Sequence, residues 1–582
     1  MAGLETAAAR GDGPADGRRA GFNSYGGDVS ETTRLLDGTA SDAQVAEPTK
    51  DTWAGVEDFD GFPWSRKPSV YWLVGPFFLY TLAFGGIIVP KLNLIISLIC
   101  REYFADQTSS DPSLVFPPVV LGGDNEQCQI LPVQKAATKM TLVMSLVVGL
   151  LSALSAPKLG HLSDRYGRTK WLALSSCGGV LAEIVTIIAA KFPDVVDYRW
   201  IILGSVFDGM TGSFTAGTIL GQSYASDCTP PSKRGVAIGY LHACLFTGLA
   251  LGPLLSAKFI LLTGGGLISV FYLALACHIF FVLFVLLVLP ESVSQKRQML
   301  SREKHAKEVE SREDSGTWLG SLRHKNPLAP LRILYTKHPG ATSRFRLNII
   351  SLALVDMVLL GAAMGAGTVI ILYSEYVFKW DNYDSSRYVS LVSTVRAFVL
   401  MAVLPLINYI FRTRPAARRR LLSPGPIVEA NRGCDNLDLW LIRTALISDI
   451  IGSVGYFLSA SAPFFVMSGV ITAFGGLGSA TIQASITKHV PPEKVGQLLG
   501  AIGLLHGLAR VAAPLMFNGL YHATLDTYPQ AVFILLASLF TVSLTASMFV
   551  KPHIYVREDA APNSPSHQPT RPNSLVEEEL LI

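Results

Sequence analysis

Twelve long, mostly apolar runs follow one another along this chain, near 69–98, 137–157, 170–190, 199–222, 236–258, 267–289, 347–374, 388–411, 438–460, 463–487, 497–519 and 528–550. About 20 apolar residues are what a helix needs to cross the hydrocarbon core of a bilayer. Inside that core every backbone amide must be satisfied within its own segment, so runs of this length predict helices and not the strands of a barrel. Three polar stretches fall outside the pattern: 1–65, rich in Gly, Ala, Asp and Thr; 291–343, with Gln295-Lys-Arg and a Ser/Arg/Glu/Lys block; and 552–582, with Pro, Asn and Ser. They read as polar, mobile segments that leave two bundles of six spans, at 66–290 and 344–551. The predicted fold is an all-α polytopic membrane protein. The first long apolar run begins near Ser69, too deep for a cleaved signal peptide, so the first span is expected to serve as the insertion signal.

Composition agrees with this pattern. Half of the residues are hydrophobic, 16% are charged and mean hydropathy is +0.38, against about 25% charged residues in a soluble protein. Short cytoplasmic loops gather Lys and Arg. Here Arg66 and Lys67 precede span 1; Arg165, Arg168 and Lys170 lie between spans 2 and 3; Lys233 and Arg234 between spans 4 and 5; and Arg412, Arg414, Arg418, Arg419 and Arg420 between spans 8 and 9. All fall on one side, which predicts that both termini and the central linker are cytoplasmic. The net charge of +4 comes mostly from these loops, so it indicates topology and no nucleic-acid partner. An internal repeat relates the halves. Pro230-Pro-Ser-Lys233, Gly235, Gly239 and Gly252-Pro253-Leu254 recur as Pro491-Pro-Glu-Lys494, Gly496, Gly500 and Ala513-Pro514-Leu515, at the constant offset 491 − 230 = 261.

One loop carries a recognisable motif. Gly160, Leu162, Ser163, Asp164, Arg165, Gly167 and Arg168 match the pattern G-x-L-[SA]-D-R-x-G-R-[RK], which resembles the signature between helices 2 and 3 of the major facilitator superfamily. The resemblance implies two six-helix bundles related by a pseudo-two-fold axis, rocking about a midplane site. It also implies that Gly160, Asp164, Arg165, Gly167 and Arg168 form a conformational latch and do not touch solute. Positive-inside anchoring alone explains the arginines but not the acid or the glycine spacing. Phe411-Arg-Thr-Arg414 occupies the place of a second such loop and lacks the acid and both glycines. The stronger latch is therefore expected on Asp164.

Gly248-Leu-Ala-Leu-Gly252-Pro253 in span 5 is similar to the G-x-x-x-G-P signature of the drug/proton antiporters in that superfamily. Leu254, Leu255 and Ser256 depart from that signature, and close helix packing explains the same small residues. In span 4 those antiporters have an arginine where this chain has Ser205-Val-Phe-Asp208-Gly209. An acid there, followed by Tyr224-Ala-Ser-Asp227, looks like the proton-coupled folate and haem-carrier branch. A carboxylate in the bilayer must be paired, hydrated or protonated, which makes Asp208 the leading proton-coupling candidate, followed by Asp356, Glu183 and Glu375. Arg396 and Asp449 are further ionisable groups within spans. Lys91, Asn93, His242, His506, Arg510 and Gln483 are candidate pocket residues. Arg510 suits an anionic or zwitterionic solute, or neutralises Asp356 or Asp449.

The seven cysteines form no metal pattern. Cys100 and Cys128 flank the first non-cytoplasmic loop and can pair if that compartment oxidises. Nothing resembles a phosphate-cradling loop or a nucleophile elbow, so the expectation is a transporter and not an enzyme, without cofactor or metal and driven by an ion or solute gradient. Its expected partners are protons and a small organic solute, in a monomer held in the bilayer. Glu31-Thr-Thr-Arg-Leu35-Leu36 and Glu577-Glu-Glu-Leu-Leu581-Ile582 fit acidic dileucine signals read by sorting adaptors, which favours a vacuolar or lysosomal membrane over the plasma membrane. The other function class is a non-transporting nutrient sensor or adaptor of the same fold. Antiport and symport both stay open.

Overall fold

The structure, a computed structural model, describes residues 52–53, 56–110, 117–121, 126–128, 130–263, 266–313, 329–335, 342–380, 382–422, 428–429, 432–525 and 527–555. All twelve spans are present. The first half holds span 1 (Val70–Ser110), span 2 (Leu131–Tyr166), span 3 (Arg168–Lys191), span 4 (Ile201–Met210 and Ser213–Asp227), span 5 (Arg234–Leu262) and span 6 (Leu267–Leu287). The second holds span 7 (Ser343–Phe378), span 8 (Asn382–Phe398 continuing to Arg414–Leu422), span 9 (Asn436–Leu458), span 10 (Ala462–Ala473 and Gly476–Thr487), span 11 (Val495–Thr524) and span 12 (Ala531–Phe549). Eleven are long and apolar enough to cross a membrane, span 10 counted across its break. Span 4 is not among them.

The breaks are where the helices depart from simple apolar runs. Span 4 stops at Met210 and restarts at Ser213, with Gly212 at φ +86 and Ser213 at φ +56; a left-handed turn of this kind favours glycine. Span 10 is interrupted after Ala473, in the corresponding place of the second half. Span 8 is continuous but carries π-helical turns at Val399–Val403 and Tyr409–Thr413. Span 1 was expected to end near residue 98 and continues to Ser110, with Pro76 and Pro90 inside it. Its 41 residues reach about 60 Å at 1.5 Å per residue, well beyond the hydrocarbon core. The overhang is tied down by a Cys100–Cys128 disulfide and by Arg101–Asp194 and Glu102–Arg199 ion pairs.

The central linker contains a charged helix, Gln295–Glu313, and a short turn at Ala329–Ile333. Among the described residues the only strand is a two-residue parallel pairing of Thr52–Trp53 with Val428–Glu429.

Helix pairing repeats between the halves. Spans 1–5, 3–6 and 3–4 pack in the first half as 7–11, 9–12 and 9–10 do in the second, and the halves meet where span 2 packs on span 11 and span 5 on spans 8 and 10. The Gly248/Gly252 motif belongs to the 1–5 seam: a side-chain carbon at Gly248 would collide with the Thr81 carbonyl, and one at Gly252 with the backbone of Gly85 and Gly86. The second half repeats this seam, with Gly361 beside Ala509 and Ala513, and Gly365 against Ala513. Between halves, a side-chain carbon at Gly500 would lie 3.0 Å from the Pro157 backbone, and one at Gly507 would collide with Ala153.

Gly500→Val should therefore overpack the 2–11 seam and cost about 1–3 kcal/mol. Gly367→Ala adds a methyl to open space and should be neutral or stabilising by up to about 1 kcal/mol. Thermal unfolding of the two variants in detergent checks the difference.

Candidate functional site

The polar groups buried at the junction of the halves lie in two layers: ion networks at the end bearing the 2–3 loop, and a hydrogen-bonded group nearer the middle. The first layer is built on the start of span 11, where backbone amides lack intrahelical partners. Asp164 of span 2 accepts from Gly496 N at 3.0 Å and Gln497 N at 2.7 Å. Its charge is matched by Arg168, whose Nη1 lies 2.6 Å from Asp164 and whose Nε donates to Asp227 at 2.9 Å, with Ser163 Oγ accepting a further bond. Arg168 is only 1% exposed. Breaking such a buried set by deleting one partner costs about 3–5 kcal/mol.

Local sequence makes this geometry feasible. Gly160 lies against the Gly496 carbonyl and Gly500, so no side chain fits there. Gly167, at φ +94, turns the chain from span 2 into span 3. Glu291 then caps span 3, accepting from Arg168 N, Thr169 N and Thr169 Oγ1 at 2.7, 3.1 and 2.8 Å. Arg165 contacts His161, and its carbonyl accepts from Arg302 of the linker helix. Lys304 of the same helix pairs with Glu493 of the second half at 2.8 Å.

The 8–9 loop was expected to be a poor copy, yet it also crosses between halves. Arg412 donates to the Ser232 carbonyl of the 4–5 loop at 3.0 Å and pairs with Asp435 and Asp438. Asp438 also holds Lys488 at 2.5 Å. Burial works against ionisation of Asp435, but Lys488 and Arg412 outweigh it and hold that carboxyl well below the usual range. An arginine and a carbonyl do here what an acid and two amides do on the other side.

The second layer joins residues from five spans. His506 Nε2 lies 2.6 Å from Asp356 Oδ2, and Gln483 Nε2 donates to Asp356 Oδ1 at 3.3 Å. All three are at most 7% exposed. Gln483 also adjoins His242 of span 5, whose ring contacts Ser479 Oγ of span 10 and Gln222 Nε2 of span 4, each at 3.2 Å. A polar chain thus runs across the two halves, and four of the candidates, Asp356, His242, His506 and Gln483, belong to it. Ser479 and Gln222 were not anticipated. Neither is ionisable, so only the three-dimensional contact reveals them.

Asp208 lies apart from this chain, at the break in span 4, and accepts from Ser213 Oγ at 2.7 Å. It is half-buried and within the field of Lys91, Arg510 and His278. Arg510 lies within the field of Asp208, and its Nε is buried without a hydrogen bond among the described residues. Asn93 is exposed and takes no part in these contacts. Glu183 is 2.7 Å from His278, an unanticipated partner on span 6. Arg396 lies over the Phe246 ring at 5.0 Å and donates to the Thr472 carbonyl next to the span 10 break, while the Asp449 carboxylate packs on Gly475 in that break. Glu375 lies near the end of span 7, with its side chain outside the described residues. The sorting candidates Glu31, Leu35, Leu36, Glu577, Leu581 and Ile582 also fall outside them. Among the described residues no His/Cys/Asp/Glu group could hold a metal.

Comparison with known proteins accords with this architecture. A family model of the Major Facilitator Superfamily matches residues 129–427 and 437–580. The MFS-type transporter avaJ of Aspergillus versicolor is 29% identical over 494 residues, 83% of this chain and 89% of that protein. The proton-coupled folate transporter of Bos taurus is 24% identical, over 70% of this chain and 77% of its own. Among solved structures, the human organic anion transporter MFSD10 shares the fold with a TM-score of 0.60 and 17% identity, covering 83% of this chain and all of that one. The chain belongs to the Major Facilitator Superfamily and is a multi-pass membrane transporter of that family.

Proposed function

We propose that this protein is a proton-coupled secondary transporter that moves a small organic anion by alternating access. The observation that carries the reading is the buried Asp356–His506 pair, held from span 10 by Gln483 and continued across the halves through His242. A carboxylate in this environment cannot stand alone. With one proton the pair is neutral; a second proton, on Asp356 Oδ2, turns the oxygen facing His506 into a hydroxyl and leaves Oδ1 as the acceptor for Gln483. Spans 7 and 11 then lose their charge-assisted tie, and Gln483 and His242 relay the change to spans 4 and 5. Lys91 and Arg510 receive the anion. Asp208 neutralises them in part while the site is empty, and its protonation leaves both cations available, so proton and anion occupancy are linked there as well.

Asp164 with Gly496 and Gln497, and Arg412 with Ser232, close one end of the pathway. We assign that end to the cytoplasm, because the arginine-rich loops lie there and the Cys100–Cys128 disulfide, which suits an oxidising compartment, lies at the other. Both termini are then cytoplasmic. The two dileucine sequences support delivery to a vacuolar or lysosomal membrane through sorting adaptors.

Reconstitution in liposomes with an imposed pH gradient should show accumulation of an organic anion, and Asp356→Asn should lower that accumulation by about tenfold, equivalent to about 1.4 kcal/mol of coupling, while leaving solute exchange without a gradient. Flux indifferent to the gradient in folded wild-type protein would exclude the coupling. Asp164→Asn should weaken closure by about 1–3 kcal/mol, measured as a longer distance between spin labels at Lys170 and Lys494. Alanines at Leu35, Leu36, Leu581 and Ile582 together should divert the protein to the cell surface; unchanged sorting would remove the vacuolar assignment.

A further inference from the structure

Behind span 1, away from the Asp356 network, the first half encloses a second titratable pair. Glu183 of span 3 and His278 of span 6 are 5% and 3% exposed, and Glu183 Oε1 lies 2.7 Å from His278 Nδ1. A bare carboxylate and the lone pair of a neutral imidazole would repel at this distance, so the contact requires a proton on one of them. Both Glu183 oxygens and both His278 nitrogens lack an aligned hydrogen bond among the described residues. Asp164, by contrast, has its oxygens bonded by two amides and an arginine.

Among the described residues no aligned hydrogen bond fixes the proton of the Glu183–His278 pair on either partner. The charged groups around it border the proposed solute pathway. Span 1 contributes Tyr80, whose ring is tilted against His278 with centroids 4.7 Å apart, and Lys91, within the field of both Glu183 and Asp208. Span 4 contributes Asp208, within the field of His278. Span 6 adds Cys277, within the field of Glu183. Span 3 approaches Asp208 closely, since a side-chain carbon at Gly178 would lie 3.0 Å from its Cα.

We infer that Glu183 and His278 form a second proton-binding site, set in the wall of the first half and linked through Lys91 and Asp208 to the charge in the solute pathway. Neutral with one proton, the pair becomes a buried anion when that proton leaves. This state is tolerated while Lys91 is not engaged by a solute anion. Anion binding at Lys91 thus favours the protonated pair. The consequence for transport rests on the proton-coupled reading above, but protonation of the pair itself is independent of it.

Infrared difference spectroscopy of the purified full-length protein in lipid, stepped across pH, reads this directly. The wild type should show a carboxyl C=O band that Glu183→Gln loses and Asp356→Asn retains. His278→Gln keeps the band and should move its midpoint by about one pH unit or more, the scale of a close charge partner. If Glu183→Gln retains every wild-type band, or if His278→Gln leaves the midpoint in place, the site is overturned; should Glu183→Gln fail to fold, the His278→Gln midpoint decides alone. A wild type that shows the Glu183 band but no gradient-driven flux would keep the site and discard the coupling reading.

Discussion

Two backbone amides at the start of span 11, those of Gly496 and Gln497, depend on a carboxylate from the other half of the molecule, and much of the surrounding structure follows from that. The oxygens of Asp164 can reach those amides only if spans 2 and 11 touch backbone to backbone, which accounts for Gly160, Gly496 and Gly500 facing one another. A buried carboxylate then needs a cation, supplied by Arg168. A buried arginine offers more donors than one acid can accept from, and the surplus goes to Asp227 and Ser163. Asp227 ends span 4, so the closed seam is connected directly to the broken helix that carries Asp208.

The second half solves the same problem with opposite charges. The internal repeat places Lys488 opposite Asp227, since 488 − 227 = 261. Asp438, near the start of span 9, stands where Arg168 stands at the start of span 3. Acid–base–acid at Asp164, Arg168 and Asp227 becomes base–acid–base at Arg412, Asp438 and Lys488. The crossing contact inverts accordingly: a helix N-terminus, positive in its dipole, receives the acid on one side, and a loop carbonyl receives the arginine on the other. Both loops therefore bind the opposite half.

This inversion shows what could be read from the chain alone. Apolar run length was enough for twelve spans, and the 261-residue repeat was enough for two related halves, because both follow from the thickness of the bilayer and from local composition. The Asp164 loop was legible since its chemistry lies in one short segment. Arg412 was read as a topological charge in a poor copy of the first loop, because its partners Asp435 and Asp438 lie 23 and 26 residues away (435 − 412 and 438 − 412) and the segment itself holds no acid. Span 4 looked continuous because its apolar residues run through the break; only Gly209 and Gly212 hint at it. His278 drew no attention, as a single histidine in an apolar run carries no signal until Glu183 is seen opposite.

The two seams between the halves are not equivalent, and the difference bears on which can yield. Gly239 corresponds to Gly500 in the repeat, yet a side-chain carbon on it would meet the Leu404 side chain, whereas one on Gly500 would meet the Pro157 backbone. A leucine can change rotamer; a backbone cannot. The 5–8 seam also carries the π-helical turn of span 8 at Val399–Val403, and the polar contact of His242 with Ser479 of span 10 borders it; π-helical turns are frequent at functional sites. In a rocking motion the glycine seam between spans 2 and 11 must therefore separate or hold as a unit, while the seam between spans 5 and 8 can repack around its side chains. The groups proposed to bind protons border the yielding seam on one side and lie behind span 1 on the other, so a change in their charge acts on the helices with room to respond.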